Sequence, residues 1–231
     1  LDEIAAAPPG AAVHPLVLGR EIARLLPENA IVVGDGADVQ NWMYGALEIR
    51  RAPGFLDHYP LGAMGSGTPL AVGAAAAARE LATGEAGERT VVLVTGDGSI
   101  GFHAAELHAC TLAGLPLVVV VGNDGAWGTE LHGQRRALGR DVNTALGTLH
   151  YDRLGAAFGG EGLRVERAAD LAPALARAFA RAREIRGPFV VDVALDPTAG
   201  AAIKQDPRAA LIQFDDLAGG LAAMQVRTGP A

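Results

Sequence analysis

A single cysteine, Cys110, in 231 residues excludes any disulfide framework within the chain. The expected compartment is therefore a reducing cytoplasm. Cys110 lies in a helix-like stretch between Ala109 and Thr111, and the role expected of it is that of a small core residue. No run approaches the roughly 20 apolar residues of a membrane span, and the N-terminus carries no secretory-signal pattern. A basic excess is missing too. The formal net charge of −7 argues against nucleic acid or an anionic membrane surface as partner. It leaves an anionic cofactor open, because a bound cation inverts the local field. Charged residues make up only 19% of the chain and apolar ones half, so a packed core rather than disorder is expected. Internal repeats are absent. The chain begins with leucine, which points to a processed fragment or a piece of a longer protein.

What is present is an alternation of apolar strands and helices sized for one α/β domain. Residues 1–12, rich in alanine and proline, read as a linker. A helix is predicted over 15–26, a strand over 31–33 and a helix over 39–47. A glycine-studded segment, Leu61-Gly-Ala-Met-Gly-Ser-Gly-Thr-Pro-Leu70, then leads into an alanine-rich helix ending near Leu81. Strands follow at 90–95, 117–122, 163–166 and 189–194, with helices at 103–113, 151–158 and 170–185 and a long loop before residue 151. The strands are continuous Val/Leu runs rather than alternations, so both faces of the sheet should be covered. The predicted fold is α/β: a doubly wound, mostly parallel six-stranded sheet with helices on both faces and ligands at the carboxyl ends of the strands. The domain spans 13–198. Residues 199–231 form a tail, read as a lid, a subunit contact or partly disordered. Arg177, Arg181 and Arg183 read as a solvated helix face opposite Leu171, Leu175 and Ala178.

The chemistry concentrates at two strand ends. Gly96-Asp97-Gly98-Ser99 comes directly off Thr90-Val-Val-Leu-Val-Thr95. Asp124 closes Leu117-Val-Val-Val-Val121 and lies 27 positions after Asp97. Two buried parallel strands would deliver both carboxylates to one sheet edge, an arrangement that suits a hard divalent cation such as Mg²⁺ holding a diphosphate. The amides of Gly98 and Ser99 could donate to the same anion. Two other readings stand beside this one. Both aspartates could simply cap turns or helices. Gly96-Asp-Gly-Ser-Ile-Gly101 also satisfies a dinucleotide-binding glycine pattern, with Asp124 near where a ribose-binding acid belongs. Against the latter, Asp97 would place a carboxylate beside a pyrophosphate with no cation between them. About ninety residues also precede a turn that normally opens that fold.

The run from Gly96-Asp97-Gly98 to Asn123-Asp124 resembles the thiamin-diphosphate motif, and the segment around Met64 resembles the loop that meets the aminopyrimidine ring in that family. The likeness covers roughly residues 13–197. Within the family the chain is most similar to the benzaldehyde lyase, 2-hydroxyacyl-CoA lyase and acetolactate synthase group. Trp127-Gly128, Leu131-His132, Tyr151, Ala156-Ala-Phe-Gly159 and Ala194-Leu-Asp-Pro197 resemble benzaldehyde lyase, whereas Gly34-Asp-Gly-Ala-Asp38 and Gly122-Asn-Asp124 resemble the hydroxyacyl-CoA lyase branch. The resemblance implies thiamin diphosphate and Mg²⁺ as cofactors. It implies Asp97 and Asp124 as metal ligands through their side chains and Ala126 through its carbonyl. Gly36, Ala37, Asp38, Gly96, Gly98, Ser99, Trp127 and Gly128 would line the diphosphate. Met64 would wedge the bent cofactor, and the Gly62 carbonyl would accept from its 4′-amino group. His58, just before the Met64 loop, is the candidate for proton handling. His103, His108, His132 and His150 lack zinc spacing, and Gln134 is a weak candidate for the substrate side.

One departure concerns the metal, because many relatives carry asparagine where this chain has Asp124. The activating glutamate of the family belongs to a separate pyrimidine-binding domain that nothing here matches. The chain is therefore expected to need that domain, in the same longer polypeptide or as another subunit of a homo- or hetero-oligomer. The implied activity is carbon–carbon lysis or ligation of a small carbonyl substrate: a 2-hydroxyacyl compound, a 2-keto acid or an acyloin. An acetolactate synthase large-subunit fragment is the alternative, although Thr129-Glu-Leu-His132 departs from the sequence expected there. A non-catalytic cofactor-binding or regulatory module is the alternative of another class.

Overall fold

Continuous apolar runs become the buried strands of one parallel sheet. The structure, a computed structural model, describes residues 12–82 and 87–203. Most of the expected linker (1–11) and of the expected tail (204–231) lies outside the described residues. The strands are β1 (Ile31–Asp35), β2 (Phe55–Leu56), β3 (Val91–Gly96), β4 (Leu117–Asn123), β5 (Glu161–Val165) and β6 (Pro188–Ala194). They lie in the order β2-β1-β3-β4-β6-β5, every pair parallel.

Helices cover both faces, as expected. On one side α1 (Pro15–Leu25), α2 (Ala37–Tyr44) and α8 (Ala168–Ile185) pack Leu16, Ile22, Trp42, Leu171 and Leu175 against Val92, Val94, Val118 and Val120. On the other, α3 (Gly67–Glu80), α4 (Asp97–His103), α5 (Leu107–Ala113) and α7 (Arg153–Ala157) pack Ala71, Ala75, Ile100, Leu107 and Cys110 against Leu93, Val119 and Val121. Successive strand residues point to opposite faces, so one run feeds two cores. Each such side chain stabilises the fold by ~1.5–3 kcal/mol when fully buried. Leu93→Ala in the centre would cost roughly 2–5 kcal/mol.

Three elements differ from the expectation. The stretch 103–113 is broken: α4 starts already at Asp97, a 3₁₀ turn spans Ala104–Glu106, and α5 follows. The loop expected before residue 151 contains a helix, α6 (Gly128–Leu138). Only Gly128 and His132 of its eleven residues are buried, so it carries almost no apolar stripe for periodicity to reveal. β2 has two half-buried residues and is too short to register as a run. A short helix, α9 (Ala199–Ile203), opens the tail and packs against α6.

The order of the strands locates the site. From β1 the chain goes out to the sheet edge at β2, then returns through α3 to β3 on the other side of β1. Such a reversal opens a crevice at the carboxyl ends of the two central strands. Asp35 pairs with Thr95, and Gly96 with Gly122. Asp35-Gly36, Gly96-Asp97 and Asn123-Asp124 therefore all emerge at one edge.

Candidate cofactor and metal site

Gly36, Ala37, Asp38, Met64, Gly96, Asp97, Gly98, Ser99, Asp124, Ala126, Trp127 and Gly128 line one open cleft of about 410 Å³ at that edge. Residues spread over more than ninety positions are thus brought together as the sequence suggested. Gly62 and His58 are not in the lining. Gly62 lies on the exposed outer part of its loop, with a positive φ of 68°. His58 is buried beneath that loop, its Nε2 4.0 Å from Asp35 Oδ1 and its ring edge-on to Tyr59. Thr129 and Glu130 also line the cleft, on the first turn of α6.

The walls are built by close approach. A Cβ on Gly98 would sit 2.5 Å from the Trp127 ring, so the indole packs directly on that backbone. Trp127 also meets Phe102 at 6.0 Å between ring centroids. Gly36 has φ +87°, a conformation glycine adopts at little cost, and a Cβ there would lie 3.0 Å from Ser99 Oγ. The β1 turn can therefore touch the start of α4.

Asp97 is 3% exposed and Asp124 half-buried. Asp97 Oδ1 accepts the Gly98 amide at 2.8 Å, and Oδ2 the Gly125 amide at 2.9 Å. The Gly98 amide, expected to face a diphosphate, is thus turned onto Asp97 itself. Asp124 Oδ1 accepts the Ala126 amide at 3.2 Å. Burial, and after it the charge of Asp124, push the Asp97 carboxyl up to about 7 against the pull of these amides. Burial also raises Asp124. Among the described residues the cleft lining holds four acids, Asp38, Asp97, Asp124 and Glu130, and no Lys, Arg or His. Two desolvated carboxylates with no basic neighbour are oxygen donors suited to a hard divalent cation. An anion could enter this acidic cleft only with such a cation. The donor set therefore fits Mg²⁺ with a diphosphate, and it does not fit a dinucleotide bound without metal.

Two residues outside the sequence-based set shape the site. Asp35 is fully buried and accepts from Gly65 N at 3.0 Å and Gly67 N at 2.8 Å. His103 Nδ1 lies 3.0 Å from the Gly65 carbonyl oxygen. Neither contact leaves a sequence signal beyond the residue type. Asn123 turns away from the cleft: its Nδ2 donates to Asp192 Oδ1 at 2.9 Å and to the Leu149 carbonyl at 3.0 Å. Of the α8 arginines, Arg181 pairs with Glu161 and Glu184, and Arg183 donates to the Thr90 hydroxyl. No helix among the described residues is long and apolar enough to cross a membrane.

An acetolactate synthase large subunit of Mycobacterium tuberculosis is 38% identical over 80% of this chain and 32% of its own length. A 2-hydroxyacyl-CoA lyase of Arabidopsis thaliana is 33% identical over 74% of this chain and 29% of its own. The chain therefore spans about a third of the curated relatives it matches. A thiamine diphosphate-dependent 4-hydroxybenzoylformate decarboxylase of Rhodococcus jostii shares the fold, with a TM-score of 0.71 at 23% identity over 83% of this chain and 34% of that one. Residues 31–193 match the thiamine pyrophosphate enzyme family, C-terminal TPP binding domain, and with these relatives they establish that the chain belongs to that family.

Proposed function

We propose that this chain is the diphosphate- and Mg²⁺-binding half of a thiamin-diphosphate-dependent carbon–carbon lyase or carboligase acting on 2-hydroxyacyl, 2-keto acid or acyloin substrates. The observation that carries the reading is the pair Asp97 and Asp124, desolvated at one sheet edge in a cleft with no basic side chain. In this reading both carboxylates and the Ala126 carbonyl hold Mg²⁺. Gly36, Ala37, Asp38, Gly96, Gly98, Ser99, Trp127 and Gly128 enclose the diphosphate. Met64 would pack against the organic part of the cofactor, and the Gly62 carbonyl would accept a hydrogen bond from it. When bound, thiamin diphosphate supplies the carbon nucleophile and the electron sink for chemistry beside a carbonyl. The chain's own part is to orient that group, to neutralise its diphosphate through the metal, and to exclude water with Trp127. His58, buried against Asp35, would act on protons only through the loop above it.

A pyrimidine-binding domain with the activating glutamate completes the site, within a longer chain or as another subunit. The length of the relatives supports this, since each extends well beyond the matched third. Acetolactate synthase activity is the second reading, favoured by the 38% identity to such a subunit. Thr129 and Glu130, which depart from the sequence expected of that enzyme, face the cleft. Reconstitution with a pyrimidine-binding domain tests the proposal. Cleavage or condensation that requires thiamin diphosphate and Mg²⁺ is expected, and the product identifies the substrate class. Cofactor binding without turnover on any of these substrates would instead make the chain a non-catalytic module.

A further inference from the structure

The loop that carries Gly62 and Met64 has little apolar anchorage of its own: Leu61 at its tip is exposed and Met64 is half-buried. It is held by polar grips from two sides. From beneath, Asp35 at the end of β1 offers one carboxylate oxygen to the Gly65 amide and the other to the Gly67 amide. The grip admits no larger residue at these positions. A Cβ on Gly67 would lie 2.4 Å from Asp35 Cβ, and one on Gly65, whose φ is +89°, would lie 2.4 Å from Phe102 Cβ. From the side, His103 Nδ1 lies 3.0 Å from the Gly65 carbonyl oxygen. A carbonyl only accepts, so Nδ1 carries the hydrogen. Both grips are fixed to the metal end of the cleft. Asp35 precedes Gly36, which lines the cleft, and His103 ends the seven-residue helix that Asp97 begins. At the rise of an α-helix, those ends are roughly 9 Å apart.

We propose that Asp35 is a positioning residue, assisted by His103, that sets the height of Met64 over the cleft and with it the loop that carries Gly62. The chain thereby favours a diphosphate carrying an organic ring system over bare diphosphate. This rests on the thiamin-diphosphate reading. The carboxylate suits the task because one side chain accepts two amides on either side of Ser66, tying to β1 a glycine-rich turn whose other donated hydrogen bonds, Gly62 N to the His58 carbonyl and Ser66 N and Oγ to the Ala63 carbonyl, stay within the loop. Asparagine in its place keeps one acceptor and aims an N–H at the second amide.

The test is the ratio of two dissociation constants, measured calorimetrically in Mg²⁺ on this chain assembled with the pyrimidine-binding domain: inorganic diphosphate over thiamin diphosphate. Asp35→Asn is expected to lower that ratio about tenfold, as loss of a charge-assisted hydrogen bond would, while inorganic diphosphate binds as before. A thermal melt checks that the variant is folded. If it is not, His103→Ala on the exposed side of the loop carries the test, with a smaller fall in the same direction. Equal weakening of both ligands would overturn the inference and make Asp35 a general fold determinant. So would an unchanged ratio in the folded variant, or a wild-type chain that binds the two alike. Failure of the wild-type chain to bind either ligand with Mg²⁺ would instead defeat the thiamin-diphosphate reading itself.

Discussion

Asp97 and Asp192 are both buried carboxylates at the carboxyl half of the same sheet, and their surroundings are opposite. Asp192, inside β6, takes Arg164 Nη1 at 2.5 Å, the Asn123 amide at 2.9 Å and the Tyr151 backbone amide at 3.1 Å. Its charge is matched inside the chain, and the network ties the loop at 149–151 to the sheet. Asp97, one step past β3, has two backbone amides and a second carboxylate beside it. A fold builds the first kind of group for itself. The second kind is costly to the free protein, and the proposed function accounts for it by a cation that arrives from outside.

Substitutions at the two positions should therefore move different quantities. Asp192→Ala removes the buried acceptor shared by Arg164, Asn123 and Tyr151, leaving Arg164 only Glu166 and the Leu149 carbonyl, and should cost about 3–5 kcal/mol of stability, read as a lowered denaturation midpoint. Asp97→Ala should leave the metal-free chain as stable or more so, yet weaken Mg²⁺-dependent cofactor binding by about 100-fold or more, since the proposed function makes Asp97 a metal ligand. If Asp97→Ala unfolded the chain, or Asp192→Ala spared its stability, the contrast would be lost. Asp124→Asn should act more gently, by about tenfold or less in metal affinity, because asparagine keeps one oxygen donor while removing a charge. A titration with Mg²⁺ at fixed cofactor would show it.

Acidity gives the most specific readout. In the metal-free chain Asp97 titrates at about 7 instead of 3.8, so between those values the folded state holds a proton that the unfolded state has released. Stability should then fall as pH rises from about 4 to 7 and level off above. Asp97→Asn should reduce that slope in denaturation curves taken across the window, leaving the part that the raised Asp124 carboxyl contributes. Saturation with Mg²⁺ should flatten it too, by holding the carboxylate ionised.

The same contrast explains what could be read from the chain alone. Strands β3, β4 and β6 were legible because they are buried on both faces and spell themselves as Val/Leu runs. Asp97 and Asp124 were legible because each follows such a run directly. α6 was missed because it offers the core only Gly128 and His132. Asp35 and His103 were missed because they grip backbone atoms of a loop some thirty and thirty-eight residues away in sequence. Asn123 stands beside Asp124 in the motif but serves Asp192 and Leu149, a division that only the strand register reveals.

The measurement that bears most directly on the central claim is a calorimetric titration of this chain with thiamin diphosphate, with and without Mg²⁺. Saturable binding that needs the metal and disappears in Asp97→Ala is the predicted result. Equal binding without metal, or binding untouched by Asp97→Ala, would contradict the account.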